Sequence, residues 1–179
     1  MMKQLPFLVL ALLFALSFTQ IGIEETGSSP GVIQAIGDAG SPQVFTFQKW
    51  KFTEAAMPED QVENIQLGIE INTSSLTCDW KDLQQNIRKK KDYFYIKKFP
   101  TASVAIDGAT AIGDGQYKTQ AMLTLKKHTK PVELTFTISE SKPYQVKGEG
   151  VITRQDFGFN GGGPKDEVPI SFDVTLPLE

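Results

Sequence analysis

The sequence is poor in the side chains from which most protein chemistry is built. It has one cysteine, Cys78, and one histidine, His128. A single cysteine excludes an internal disulfide and predicts a small buried hydrophobe, the usual place of a free thiol. Zinc sites draw on several Cys and His ligands, so no metal centre of that kind and no cofactor is expected. A histidine-based triad needs a nucleophile and an orienting acid in company. His128 instead stands in Lys126-Lys127-His128-Thr129-Lys130 and reads as a solvated turn residue. Positive charge is also in short supply, with 18 Lys and Arg against 21 Asp and Glu and a net charge of −3. That excludes the basic stripe of a nucleic-acid binder.

Long apolar runs are absent beyond the first residues. Leu5 to Leu16 is almost wholly apolar, broken only by Pro6, and follows Lys3. At about a dozen residues it falls short of the roughly 20 a spanning helix needs. With small residues at Ala15 and Ser17 it predicts an export signal, cut after Ser17 or, as second choice, after Thr19. The expected organisation is a signal peptide over 1–19, a flexible Gly/Ser/Pro leader over 20–31 and one β-domain over 32–179.

Period-two alternation, the mark of half-buried strands, runs through that domain. Ile65, Leu67, Ile69 and Ile71 alternate with polar residues and Gly68. So do Ala102, Val104 and Ile106; Ala121, Leu123 and Leu125; Val132, Leu134, Phe136 and Ile138; Val146, Gly148, Gly150 and Ile152; and Val168, Ile170, Phe172, Val174 and Leu176. Turn clusters separate them, among them Gly113-Asp114-Gly115, Lys142-Pro143 and Asn160 to Pro164. Many one-sided strands with short links predict an all-β antiparallel sandwich or barrel. Around Phe45 the pattern slips, placing Phe45 and Phe47 on one face and Trp50 and Phe52 on the other.

One stretch is helical. Trp80, Leu83, Ile87 and Lys91 recur at near-helical spacing within Asp79 to Phe94, with Asp79 as the expected cap. Gln84, Gln85, Arg88, Lys89 and Lys90 are expected on its outer face. The amphipathic helix should lie across an opening or edge of the sheet. Arg88 to Lys91 with Lys97 and Lys98 forms a basic cluster, either a plain solvated face or a contact for anionic headgroups or a pyrophosphate. Gly161-Gly162-Gly163 lacks the Lys-Ser/Thr and helix of a phosphate loop. Arg154 and Asp156 lie two apart, on one face of a strand, and are expected to pair or to bond nearby backbone, pinning the strand end before Phe157.

Four stretches carry a resemblance. Asp92-Tyr93-Phe94-Tyr95-Ile96-Lys97-Lys98-Phe99-Pro100 resembles the D-x-F-D-V-x-K-Y-P stretch of the YceI-like, polyisoprenoid-binding proteins. Leu123 to Val132 resembles their L-T-I-K-G-x-T-K-x-V, and Arg154-Gln155-Asp156-Phe157-Gly158-Phe159 their R-x-D-F-G strand end. Ile69 to Leu76 resembles the strand ahead of the family's helix. Tyr95 and Lys127 depart from the pattern, and only Val32 to Ile36 is available for the first strand, which is expected to be short or missing.

The resemblance implies a lipocalin-like antiparallel barrel of about eight strands, with the amphipathic helix near its mouth. It implies a periplasmic or secreted, non-enzymatic carrier of a polyisoprenoid or isoprenoid quinone. The expected ligand-binding residues are Phe94, Phe99, Ala121, Leu123, Leu125, Leu134, Phe136, Ile138, Gly148 and Phe157. Phe94, Phe99 and Phe157 line or gate the mouth, and Ala102, Ala121, Gly148 and Gly150 leave room along the axis. Lys97 or Arg154 is the candidate for a polar head. Peripheral membrane contact and a homodimer are further expected partnerships. Two rival readings stand beside the carrier: a protein-interaction module with a packed core, and an enzyme using Asp92, Lys97, Arg154 or Asp156 in an apolar pocket.

Overall fold

The computed structural model describes residues 29–162 and 164–178, so the expected export signal and most of the expected leader lie outside the described residues. The alternating segments form strands: β1 (Gly31–Asp38), β2 (Pro42–Phe47), β3 (Trp50–Ala56), β4 (Gln66–Asn72), the two-residue β5 (Leu76–Thr77), β6 (Thr101–Asp107), β7 (Thr110–Gly113), β8 (Gln116–Leu125), β9 (His128–Ile138), β10 (Gln145–Thr153) and β11 (Glu167–Thr175). They pair antiparallel in the order β3-β4-β6-β8-β9-β10-β11-β1-β2-β5, with β7 beside β8.

The two ends of this order meet. β2 pairs with β1 and β3 pairs with β4, and only Gln48 and Lys49 separate β2 from β3. Residues 42–56 are therefore one kinked stave shared by both edges, which closes a barrel of eight staves. Closure of this kind leaves no long edge to solvent. The kink is held by Lys49, whose N–H donates to Ser75 Oγ at 3.0 Å and whose carbonyl accepts from the Asn72 N–H at 2.9 Å. It also re-phases the side chains. Phe45, Phe47, Trp50 and Phe52 are all buried, so the expected split between two faces is corrected: two residues outside the ladder bring the second pair back inward.

Three other expectations are corrected. The first strand is a full eight residues, and Gly31, assigned to the leader, begins it. The helix α1 spans only Lys81–Lys89. Its N-cap is Trp80 with no side-chain cap bond, so Asp79 does not cap it. Beyond Lys90 the chain turns back, with Phe94 N–H on the Ile87 carbonyl and Ile96 N–H on the Arg88 carbonyl. Gln84 and Arg88 face inward rather than out. Gln84 Oε1 accepts the Cys78 N–H at 3.1 Å, and Arg88 Nε donates to the Leu76 carbonyl at 2.9 Å. These two bonds fasten α1 to β5 and the residues after it. Cys78 is buried, as its lone occurrence predicts.

The barrel has two unlike ends. One carries the links at 57–65, 108–115 and 139–144 and is filled by Met57, Ile65, Tyr144 and Leu176. Here Gly108 N–H donates to the Ile65 carbonyl at 2.7 Å and Thr119 Oγ1 to the Gly108 carbonyl at 2.7 Å. The other end carries the β1–β2 hairpin, the β8–β9 turn, the 154–166 loop and the segment 73–100 with α1.

Candidate functional site

The interior is hollow towards the second end. Inward positions near the closed end are fully buried, Ala121 and Leu176 among them. Elsewhere on the wall, Ile33, Ile69, Val104, Ile152, Ile170 and Phe172 also fall on the inward parity of their strands, yet remain partly accessible. Inward and accessible together mean that they face a void. The void is a cavity of about 450 Å³, walled almost wholly by aliphatic and aromatic carbon. Its size lies within the range of small-molecule sites. Of its few polar wall residues, Asp38, Ser41, Gln43 and Arg154 lie at the helix end, which is the mouth, and Gln34 and Ser171 lie in mid-strand.

Around the mouth, three aromatic rings interlock. Phe94 meets Phe47 edge-on at 5.8 Å and Phe159 at 4.9 Å between centroids. Tyr93 lies against Gly161, where a Cβ would stand 2.4 Å from the ring. On the outer side Lys126 Nζ sits over the Phe159 ring at 5.2 Å and donates to the Gly158 carbonyl at 2.7 Å and the Lys91 carbonyl at 3.0 Å. Burial is the main cause holding this amine below its ordinary pKa. The β8–β9 turn thereby ties the helix exit to the 154–166 loop.

Arg154 organises that loop. It stands in a 3-10 turn over Arg154–Phe157, not on a strand, and its partner is not Asp156. Its Nε donates to the Lys165 carbonyl at 3.0 Å, and Nη1 to the carbonyls of Phe159 and of Gly161. Nη2 donates to the Pro164 carbonyl at 2.9 Å and pairs with Asp166 at 3.1 Å. A guanidinium has five N–H donors, and all five are used. Of the two expected arrangements, the Arg154–Asp156 pair is corrected, since Asp156 is exposed, and the bonding of Arg154 to nearby backbone is found, in a ring of loop carbonyls. No donor of Arg154 remains for a ligand's head group.

A second contact crosses the mouth. Lys165 Nζ pairs with Asp38 Oδ2 at 2.6 Å, and the Lys165 N–H donates to the Asp38 carbonyl at 2.7 Å. The Lys165 hydrogen bond, with a further bond from the Gly40 N–H, holds the Asp38 carboxyl below its ordinary range; the same contact raises Lys165. This latch joins the β1–β2 hairpin to the loop that Arg154 holds.

Of the residues named from sequence, Phe94, Leu123, Leu125, Leu134 and Phe136 line the cavity. Phe99, Ala121, Ile138, Gly148 and Phe157 do not. Phe99 packs on Tyr95 outside the mouth, and Ala121 and Phe157 are sealed in the core at 1% exposure each. Gly148 and Gly150 leave no room. A Cβ at 148 would meet the Phe172 ring at 2.4 Å, and one at 150 would meet Leu134 Cδ2 at 2.7 Å. Sequence reasoning passed over Ile69, Val104, Ile152, Ile170 and Phe172 as wall residues, although their inward parity was already the signal. Lys97, Asp92 and Asp156 are exposed and lie off the cavity wall.

A family model for the YceI-like domain matches residues 25–176. Among solved structures, the chain is similar to BcnA of Burkholderia cenocepacia at a TM-score of 0.71 and 20% identity, covering 80% of this chain and 94% of that one. It is similar to a polyisoprenoid binding domain from Saccharophagus degradans, implicated in plant cell wall breakdown, at 0.64 and 11% identity, covering 84% and 97%. The YceI protein of Campylobacter jejuni superposes at 0.57 with 14% identity, covering 75% and 85%. A search of curated protein sequences finds no match. With the match running through the first strand, the helix and the last strand, this chain belongs to the YceI-like domain family.

Proposed function

We propose that this protein is an exported, non-enzymatic carrier that holds a long apolar molecule, of polyisoprenoid or isoprenoid-quinone type, inside its barrel. The observation that carries this reading is the cavity: closed at one end, walled mostly by carbon, and with few polar residues on its wall. Burial of hydrocarbon supplies affinity at about 0.8 kcal/mol per CH₂, so a few isoprene units suffice without a charged contact. The polyisoprenoid-binding description of the Saccharophagus degradans domain supports the ligand class. Delivery to the periplasm or the medium is supported by the apolar run from Leu5 with Ala15 and Ser17. The packed-core reading loses its premise in the hollow, and the enzyme reading is left with side chains that stand away from the cavity or are saturated.

Val104→Trp tests the proposal, because Val104 is inward-facing, partly accessible and on the cavity wall. The indole should fill the void and abolish binding of a fluorescent polyprenyl analogue, with the thermal transition still cooperative. Native mass spectrometry of the unmodified protein should show a co-purifying lipid, or uptake of an added polyprenol. A protein that takes up neither, or a Val104→Trp variant that folds and binds the analogue as well as the parent, overturns the reading.

A further inference from the structure

The charge of this molecule is divided along the barrel axis, and its exposed tryptophan lies at one pole. Residues 79–98 carry seven Lys and Arg against three Asp in a chain whose net charge is −3, so the remainder is net negative. Arg88 is spent on the Leu76 carbonyl, but Lys81, Lys89, Lys90, Lys91, Lys97 and Lys98 are exposed, and the ion pairs among the described residues use other cations. Lys127 adds to the same end from the β8–β9 turn. The links at the closed end are the reverse: Glu59, Asp60, Glu63, Asp114 and Glu140 face a single Lys142. Such a dipole orients the protein in the field of an anionic surface, mouth first.

The apolar signal coincides with the cationic one. Trp80 caps α1 and borders the cavity, yet is 59% exposed, whereas Trp50 is 6% exposed. Ile36 and Val44, cross-strand partners on the outer face of the β1–β2 hairpin, are exposed as well. Indole rings ringed by lysines favour the boundary between headgroups and acyl chains.

We propose that the mouth is a docking surface for an anionic lipid bilayer, with Trp80 seated at the headgroup boundary and Lys89, Lys90 and Lys91 against the phosphates. Docking in this pose sets the cavity opening against the acyl phase, so that an apolar molecule crosses without passing through water. The docking stands apart from the carrier reading, since it requires no occupied cavity.

The test uses the full chain with vesicles of phosphatidylcholine alone or with roughly one third phosphatidylglycerol. The apolar residues near the N-terminus are the same in every variant, so differences between variants report the mouth. Partition should be at least about tenfold stronger to the anionic vesicles and should weaken with added salt. Trp80 emission should shift to the blue, and brominated acyl chains should quench it; in Trp80→Ser, where Trp50 remains, neither change should occur. Lys89→Glu/Lys90→Glu/Lys91→Glu should lose the anionic preference while melting temperature and uptake of the polyprenyl analogue stay at the parent's values. Equal partition to both vesicles, equal binding by the triple variant, or an unmoved Trp80 spectrum would overturn the proposal. Binding to polyglutamate without binding to vesicles would overturn it too, assigning the patch to an acidic protein.

Discussion

The ring of Phe172 occupies the place where a side chain on Gly148 would stand. The two residues are direct partners across β10 and β11, and a Cβ at 148 would lie 2.4 Å from Phe172 Cζ and 2.5 Å from the Thr135 carbonyl oxygen. The missing side chain therefore houses an aromatic ring, not cargo. Gly148→Ala should destabilise by roughly 1–3 kcal/mol, as overpacking does. Adding Phe172→Leu should recover part of that loss. Additive single and double variants in urea melts would show that the ring and the glycine are not coupled.

Arg154 predicts a sharp asymmetry. Replacing it with Met removes a buried cation that holds four loop carbonyls and Asp166. Those carbonyls then need water, and unsatisfied buried groups are costly at about 1–3 kcal/mol each. The thermal midpoint should fall by many degrees and the 159–166 loop should exchange amide hydrogens quickly. Asp166 is half exposed, so Asp166→Asn should cost only about 0–1 kcal/mol. Equal losses in the two variants would assign the loop to the ion pair instead of the carbonyl ring.

The Asp38–Lys165 latch should respond to acid. The folded-state pKa of Asp38 is depressed, so its contribution is present above the ordinary carboxylate range and disappears as pH falls through the lowered value. Protonation also weakens the Gly40 N–H bond to Asp38 Oδ1, now 2.8 Å. Lys165 is raised, so its share persists through neutral pH and is lost only as pH climbs past the raised value. Protection of the Gly40 and Lys165 amides against exchange, relative to the free-chain rate at each pH, should therefore fall in strong acid, and Asp38→Asn should show the lowered protection at neutral pH. Protection at these two amides that changes neither with pH nor in the variant would remove the latch.

Processing gives a fourth expected outcome. N-terminal sequencing of exported protein should begin at Phe18 or at Gln20, following cuts after Ser17 or Thr19. An intact Met1 on exported protein would contradict the signal.

Strand positions were legible because period two survives wherever one face is buried, as in Val132 to Ile138. The phase of Trp50 and Phe52 was not, because it depends on Gln48 and Lys49 leaving the ladder, and that break is set by Asn72 and Ser75 far along the chain. The end of α1 was obscured in the same way. Ile87 and Arg88 spend their carbonyls on Phe94 and Ile96, a reversal that helical spacing through Lys91 conceals. Half of the named site residues reach the cavity wall. The misses at Gly148 and Gly150 arise from reading a small residue as space, when a neighbour's side chain had already filled it.

The kinked stave over 42–56 has a mechanical consequence. A hoop joined through one continuous wire cannot be widened at that joint without straining the wire. Elsewhere girth is set by the paired strands, and passage sideways between them would break several rungs together. What can yield without cost to the hoop is its rim: the hairpin at 39–41, the loop at 154–166 and the helix, which are tied to one another by the Asp38–Lys165 contacts and by Lys126. Traffic into such a vessel is governed by those ties, and the walls serve only to hold what the rim admits.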